Sequence, residues 1–174
     1  SHSSGNRFSG DIMDNSITAI QPELVADTAF FLDYGANENM VSGIRQSYGE
    51  KPEISKTIGE GAGLKIINSS SNQFFGNIMG NSIRSDGNYS IARGGGVYAL
   101  NAMDNSFAGV IQNNKILATT MTNYTIGGGL FLSNSHGNTF YNKIMGNSVS
   151  SMEGLQSVSR GGGVYIRYST NNQF

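Results

Sequence analysis

The sequence predicts an all-β chain, a right-handed parallel β-helix (a solenoid) of about five 33-residue coils, and three observations carry that expectation. An Asn-, Phe- and Ile-containing motif recurs at a fixed 33-residue offset, glycine clusters recur at nearly the same offset, and the residues after the glycines alternate as strands do.

The motif sets the register. Asn72-Gln-Phe-Phe-Gly-Asn-Ile-Met-Gly-Asn-Ser-Ile83, Asn105-Ser-Phe-Ala-Gly-Val-Ile-Gln-Asn-Asn-Lys-Ile116 and Asn138-Thr-Phe-Tyr-Asn-Lys-Ile-Met-Gly-Asn-Ser-Val149 follow one another at that constant offset. A further copy, Asn6-Arg-Phe-Ser-Gly-Asp-Ile-Met-Asp-Asn-Ser-Ile17, stands two periods before the first of these, and a partial copy ends at Phe174. One period before Asn72, Phe74 and Gly76 lie Asn39, Val41 and Gly43, so the gap reads as a degenerate coil at about 39–71 rather than a long insertion. The whole of 1–174 is then one β-helix segment.

The glycines keep the same spacing. Gly61-Ala-Gly63, Gly94–Gly96 and Gly127–Gly129 are one period apart, and Gly161–Gly163 is displaced by one further residue. An apolar residue stands three positions before each cluster, at Ile58, Ile91, Tyr124 and Val158, with Val25 one period earlier. After the glycines, Val97 and Ala99, Leu130 and Leu132, Val164 and Ile166 fall on one face, while Tyr98, Phe131 and Tyr165 fall on the other. That period of two is a strand signal. Asn and Gly interrupt the remaining segments every few residues, too often for a stable amphipathic helix. Each coil should hold about three short strands and a looser arc, at 84–93, 117–126 and 150–160.

Coils stacked about 4.8 Å apart pair each strand with its equivalent above and below, and every repeated position becomes a ladder. Phe8, Phe74, Phe107 and Phe140 form an expected inward aromatic file, with Ile12, Ile78, Ile111 and Ile144 beside it and Ile17, Ile83, Ile116 and Val149 past the next bend. Two Asn columns, Asn6/Asn39/Asn72/Asn105/Asn138 and Asn15/Asn81/Asn114/Asn147, fall where the chain turns. Asn tolerates the left-handed conformation, and its amide can bond the next coil.

Composition agrees with this fold and excludes several others. Gly makes up 24 of 174 residues, Pro only 2, and charged residues 13%, about half the usual share. Eleven basic residues face twelve acidic ones with no two Lys or Arg adjacent, which argues against a nucleic-acid partner. Without cysteine there is no disulfide framework and no thiolate chemistry. No apolar run approaches the ~20 residues of a membrane-spanning helix.

Catalytic and metal chemistry find little support. The P-loop and strand–GxGxxG–helix patterns are missing, as is the calcium-binding nonapeptide. Sugar-cleaving β-helices need clustered carboxylates. The candidates are Asp11 and Asp14, Asp33, and Glu60 beside Arg93, and their columns do not converge. Asp27, Glu60, Arg93, Ile126 and Arg160 share one column, so Glu60 and Arg93 read as an exposed inter-coil ion pair worth ~0–1 kcal/mol. His2 and His136 read as solvated bend residues with no second ligand at metal spacing. No catalytic residue, metal or cofactor is therefore expected.

One feature points to binding. Tyr98, Phe131 and Tyr165 form an outward column, preceded by Lys65 and extended by Arg167 and Tyr168. Left exposed, it would suit sugar rings or a protein partner; covered by the arcs, it would be structural.

Written out in register, the chain resembles the passenger domains of bacterial autotransporters, especially the polymorphic outer-membrane protein repeats with their GGA-aliphatic and FxxN motifs. Gly94-Gly-Gly-Val97, Gly127-Gly-Gly-Leu130 and Gly161-Gly-Gly-Val164 are similar to the first motif with Gly for Ala, and Phe74-Phe-Gly-Asn77 to the second. After Phe8, Phe107 and Phe140 the Asn of that motif is replaced by Asp11, Val110 and Lys143. The resemblance implies a non-enzymatic adhesin, stalk or fibre segment, extracellular or on the bacterial cell surface. Its partners would be a glycan or a host or cell-surface protein. The alternative is a segment of a polysaccharide lyase or hydrolase whose active site lies largely outside this chain. Because the sequence opens at Ser1 in mid-coil and stops at Phe174 in mid-motif, further coils or end-to-end self-association are also expected.

Overall fold

Similar side chains recur at a fixed interval because each coil lies on the one before it in that register, as a computed structural model shows. The structure describes residues 7–8, 10–14, 16–20, 24–26, 31–32, 56–86, 89–118, 122–151 and 156–174. Among them all strands pair in parallel, in five sheets, and there is no helix. This is a parallel β-helix.

Sheet 1 holds Arg7–Phe8, Gln73–Phe74, Ser106–Phe107 and Thr139–Phe140; sheet 2 holds Ile12–Met13, Ile78–Met79, Ile111–Gln112 and Ile144–Met145. Sheet 3 holds Ser16–Ile20, Ser82–Asp86, Lys115–Ala118 and Ser148–Ser151. Sheet 4 holds Leu24–Ala26, Lys56–Glu60, Tyr89–Arg93, Thr122–Ile126 and Gln156–Arg160, and sheet 5 holds Phe31–Leu32, Leu64–Ile67, Val97–Leu100, Leu130–Ser133 and Val164–Arg167. Phe74, Phe107 and Phe140 are in register, as are Ile83, Ile116 and Val149. In the last coil the offset lengthens by one, pairing Ile126 with Arg160 and Leu130 with Val164.

The coils that begin at Gln73, Ser106 and Thr139 therefore carry five strands, because the arcs expected to be loose are themselves strands of sheets 3 and 4. Their apolar alternation is faint for a physical reason. Inward positions of sheet 4 are filled by Ala92 and Thr125, both fully buried but small or polar.

The two-period gap before Asn72 is resolved differently in different sheets. In sheets 1, 2 and 3 the strands at 7–8, 12–13 and 16–20 pair directly with those at 73–74, 78–79 and 82–86, so no strand intervenes and the gap acts there as an insertion. In sheets 4 and 5, Lys56–Glu60 and Leu64–Ile67 do form the expected layer under Tyr89–Arg93 and Val97–Leu100. Only this second half of the expected coil 39–71 is described; Asn39, Val41 and Gly43 lie outside the described residues, as do Asn6 and Asn15.

The main core is the axis. Leu64, Ile66, Phe74, Ile78, Val97, Ala99, Phe107, Ile111, Leu130, Leu132 and Phe140 form one buried cluster, with Ile12 at one end and Ile144 and Val164 packed at the other. Ring centroids of Phe74 and Phe107 are 4.8 Å apart, those of Phe107 and Phe140 4.5 Å, and Phe174 adds a ring 5.0 Å from Phe140. Phe8 is in backbone register with Phe74, but its side chain lies outside those described. Ile83, Ile116, Ala62 and Ala92 fill a smaller cluster past the next bend.

Among the described residues, both Asn columns are continuous ladders. Asn105 Oδ1 accepts both the backbone N–H and the side-chain amide of Asn72, at 3.0 and 2.8 Å, and Asn138 and Asn172 repeat the pattern above it. Asn81, Asn114 and Asn147 form the second ladder, where the other N–H of each amide donates to a carbonyl, as Asn114 Nδ2 does to Ile78 O. A buried primary amide is tolerable because nearly all of its hydrogen-bonding capacity is used. The ladder residues are not themselves left-handed. Positive φ falls one residue earlier, at Ser71, Asp104, Gly137 and Asn171 before one ladder and at Asp14, Gly80, Asn113 and Gly146 before the other. The turn belongs to that preceding residue, and the Asn that follows ties the turn to its neighbour.

The glycine triplets divide two duties. Gly94 and Gly127 take φ of 63° and 68° and make the bend. Gly96 and Gly129 instead face the second ladder, where a Cβ on Gly96 would lie 2.7 Å from Asn114 Nδ2. Gly96→Ala is expected to destabilise the fold by ~1–3 kcal/mol through overpacking against that amide. An unchanged urea midpoint would contradict the packing.

Candidate functional site

From Leu64–Ile67 to Leu130–Ser133, sheet 5 is largely buried on both faces. Its inward residues fill the main core, and its outward residues meet Ile126, which ends the preceding strand of sheet 4 one glycine bend away. Tyr98, Phe131 and Ile126 form a second, outer cluster with Ile67, Leu100, Tyr124 and Tyr165 packed against it. The rings stack in file, 5.1 Å from Tyr98 to Phe131 at 1° and 5.6 Å from Phe131 to Tyr165 at 10°. Tyr98 is 3% exposed and Phe131 0%. The arcs thus cover the column through their last residues. Tyr98 and Phe131 cannot meet a ligand, and Tyr165 is half-buried.

Charged groups line this outer cluster. Glu60 accepts from Lys65 at 3.4 Å and from Arg93 at 3.1 Å, with side-chain exposures of only 7 to 22% across the three groups. The Glu60–Arg93 pair is therefore a partly buried three-group network instead of an exposed pair. Lys65 lies 5.9 Å from the centre of the Tyr98 ring, and the Arg93 and Arg167 guanidiniums lie 5.8 and 5.6 Å from that of Phe131. Cations over ring faces keep favourable electrostatics in a place that excludes water.

Burial, and next the Glu60 carboxylate, push the Tyr98 hydroxyl above its ordinary value of 10.0. A phenol whose folded pKa is raised keeps its proton where the unfolded chain has lost it. Its contribution is intact below pH ~10 and is lost as pH rises through the folded value. Tyr98→Phe is expected to flatten the alkaline limb of the stability profile, and an unaltered limb in chemical denaturation at pH 9 to 11.5 would contradict this.

Of the five residues marked for binding, Arg167 and Tyr168 remain at the surface. Tyr168 is 77% exposed and has φ of 50°. Asn68, Asn101 and Asn134 occupy the equivalent position after the earlier strands of sheet 5, with φ of 51°, 51° and 47°. Asn101 donates to Asn68 Oδ1 at 2.8 Å, a third Asn column that the motif comparison passed over although its regular spacing was visible. Left-handed backbone is cheap for Asn and costs roughly 1–2 kcal/mol for a residue such as Tyr. Arg167 is held in place, its Nε donating to Ser133 Oγ at 3.0 Å and its guanidinium 5.7 Å from the Tyr168 ring.

Asp11 accepts from the Asn77 N–H at 2.7 Å, and Asp14 lies at a left-handed turn beneath Gly80. Asp27 and Asp33 lie outside the described residues. Among the described residues no group of three or more His, Cys, Asp or Glu could hold a metal ion. His136 is tied down rather than simply solvated: Nδ1 accepts from Thr170 N at 3.1 Å and meets Thr170 Oγ1 at 2.9 Å. His2 lies outside the described residues. The hollow bordered by Phe140, Ile144, Val164, Ile166 and Phe174 is one end of the main core. No helix among the described residues is long and apolar enough to cross a membrane. No protein-family model, curated protein or solved structure matches the chain.

Proposed function

We propose that the chain is a non-enzymatic structural and adhesive β-helix, a segment of an adhesin, stalk or fibre displayed outside the cell, of the autotransporter-passenger type. The observation that carries this reading is the use made of the repeated side chains. Phe74, Phe107 and Phe140, the three Asn columns and the Tyr98–Phe131–Tyr165 file are each bonded to or stacked on their own counterparts one coil away. Such nearest-neighbour repetition yields an extended body whose length grows by coils. It leaves variable, outward side chains for contact with partners.

Labelling intact cells of the source organism with a membrane-impermeant amine reagent, followed by immunocapture of this protein, tests the placement. Labelling comparable to a known surface protein is expected; labelling only after lysis would overturn the reading. Incubation of the full-length protein with pectin, alginate and hyaluronan tests the other half, since depolymerisation of any of them would make it an enzyme.

A further inference from the structure

The corner that follows sheet 5 brings three kinds of group together: an Asn column, an aromatic ring and a guanidinium. Asn68, Asn101 and Asn134 rise along the axis in successive coils, about 4.8 Å per step, and Tyr168 takes the same place in the next coil. Asn134 is exposed even with that coil above it, so the corner faces outward by construction. Tyr168 replaces the residue type best suited to left-handed backbone, at a corner that is exposed at Asn134 where coils lie on both sides. A bulky aromatic group held in strained backbone at an outward-facing corner points to a role outside the fold. Beside it the Arg167 guanidinium is fixed between the buried Phe131 ring and the exposed Tyr168 ring.

Charge is distributed unevenly along the chain. Residues 1–104 contain eleven acidic and seven basic residues, whereas residues 105–174 contain four basic and one acidic, Glu153. The coils that carry Tyr168 therefore favour an anion. A flat exposed ring suits the C–H face of a sugar, a guanidinium fork suits a carboxylate, and each amide can both donate to and accept from hydroxyls. A peptide adding as a strand has less to use, because the Asn134 N–H is already bonded to Arg167 O.

We infer that this corner binds an acidic oligosaccharide laid along the helix axis, with one sugar on Tyr168, its carboxylate at Arg167 and the next units against Asn134 and Asn101. The inference rests on the adhesive reading above and names its ligand class. The test is calorimetric titration of the full chain with oligogalacturonate, oligoalginate and hyaluronan oligosaccharides, with malto-oligosaccharide and polyglutamate as neutral-sugar and acidic-peptide arms. At least one acidic oligosaccharide is expected to bind in preference to both control arms, and Tyr168→Asn and Arg167→Gln should each weaken it tenfold or more. Tyr168→Asn restores the residue of the other coils, so its melting temperature should be unchanged or higher. Tyr168→Phe should retain binding. No binding by any acidic oligosaccharide, equal binding by Tyr168→Asn, or polyglutamate binding as tightly would each overturn the inference. Those results leave surface labelling untouched, so the two readings fail separately.

Discussion

Phe107→Ser is expected to lower the stability of the fold by ~3–5 kcal/mol, the largest effect of any single core change considered. The ring is 2% exposed and lies between two others at 4.8 and 4.5 Å, so its loss removes stacking on both sides and leaves a hydroxyl in an apolar axis. In a solenoid each coil is supported by its neighbours alone, and a defect in mid-stack weakens two interfaces. Urea unfolding followed by far-ultraviolet circular dichroism provides the measurement, with Tyr141→Ser as the comparison. Tyr141 follows the equivalent Phe but is 70% exposed, and its replacement should stay within about 0.5 kcal/mol. Coincident midpoints for the two variants would refute the inward file.

Asn114→Ala is expected to cost ~3–4 kcal/mol, far more than the loss of one amide at a surface. Asn114 Oδ1 accepts from both Asn81 N and Asn81 Nδ2, while its own amide donates to Asn147 Oδ1 and Ile78 O. Truncation strands several buried groups at once, each at roughly 1–3 kcal/mol before relaxation. Asn101→Gly is the matching control, because glycine keeps the left-handed φ of 51° without strain. It removes one 2.8 Å bond in a half-buried column, and ~1 kcal/mol is expected. Asn114→Asp adds a test with a sign. A buried carboxyl without a cation has a raised pKa, so the folded state binds the extra proton and this variant should regain stability as pH falls through that value. Equal losses for Asn114→Ala and Asn101→Gly in the same urea experiment would mean the ladders are not the inter-coil fastening described.

Much of this was legible in the sequence because a ladder is a one-dimensional object. Coil-to-coil contacts join residues at a fixed separation, so Phe74/Phe107/Phe140 and Asn81/Asn114/Asn147 could be placed in register without coordinates. Contacts across a coil carry no such period. The pairing of Gly96 with Asn114 spans part of a coil and leaves no signal except the glycine itself. The strands of sheet 4 were hidden because Ala92 and Thr125 occupy inward positions that apolar patterning does not flag. The left-handed positions were displaced by one residue from the Asn columns because tolerance of a conformation and use of an amide fall on adjacent residues there.

The sequence by itself determined the architecture, the register and the identity of the inward files, since all three follow from which residues repeat and at what interval. The tertiary structure decided which outward residues are surface. Strand alternation says that Tyr98 and Phe131 point away from the axis, but only the packing of Ile126 and Tyr124 against them buries them. Facing direction is a local property of the backbone, whereas exposure depends on every other segment that passes nearby.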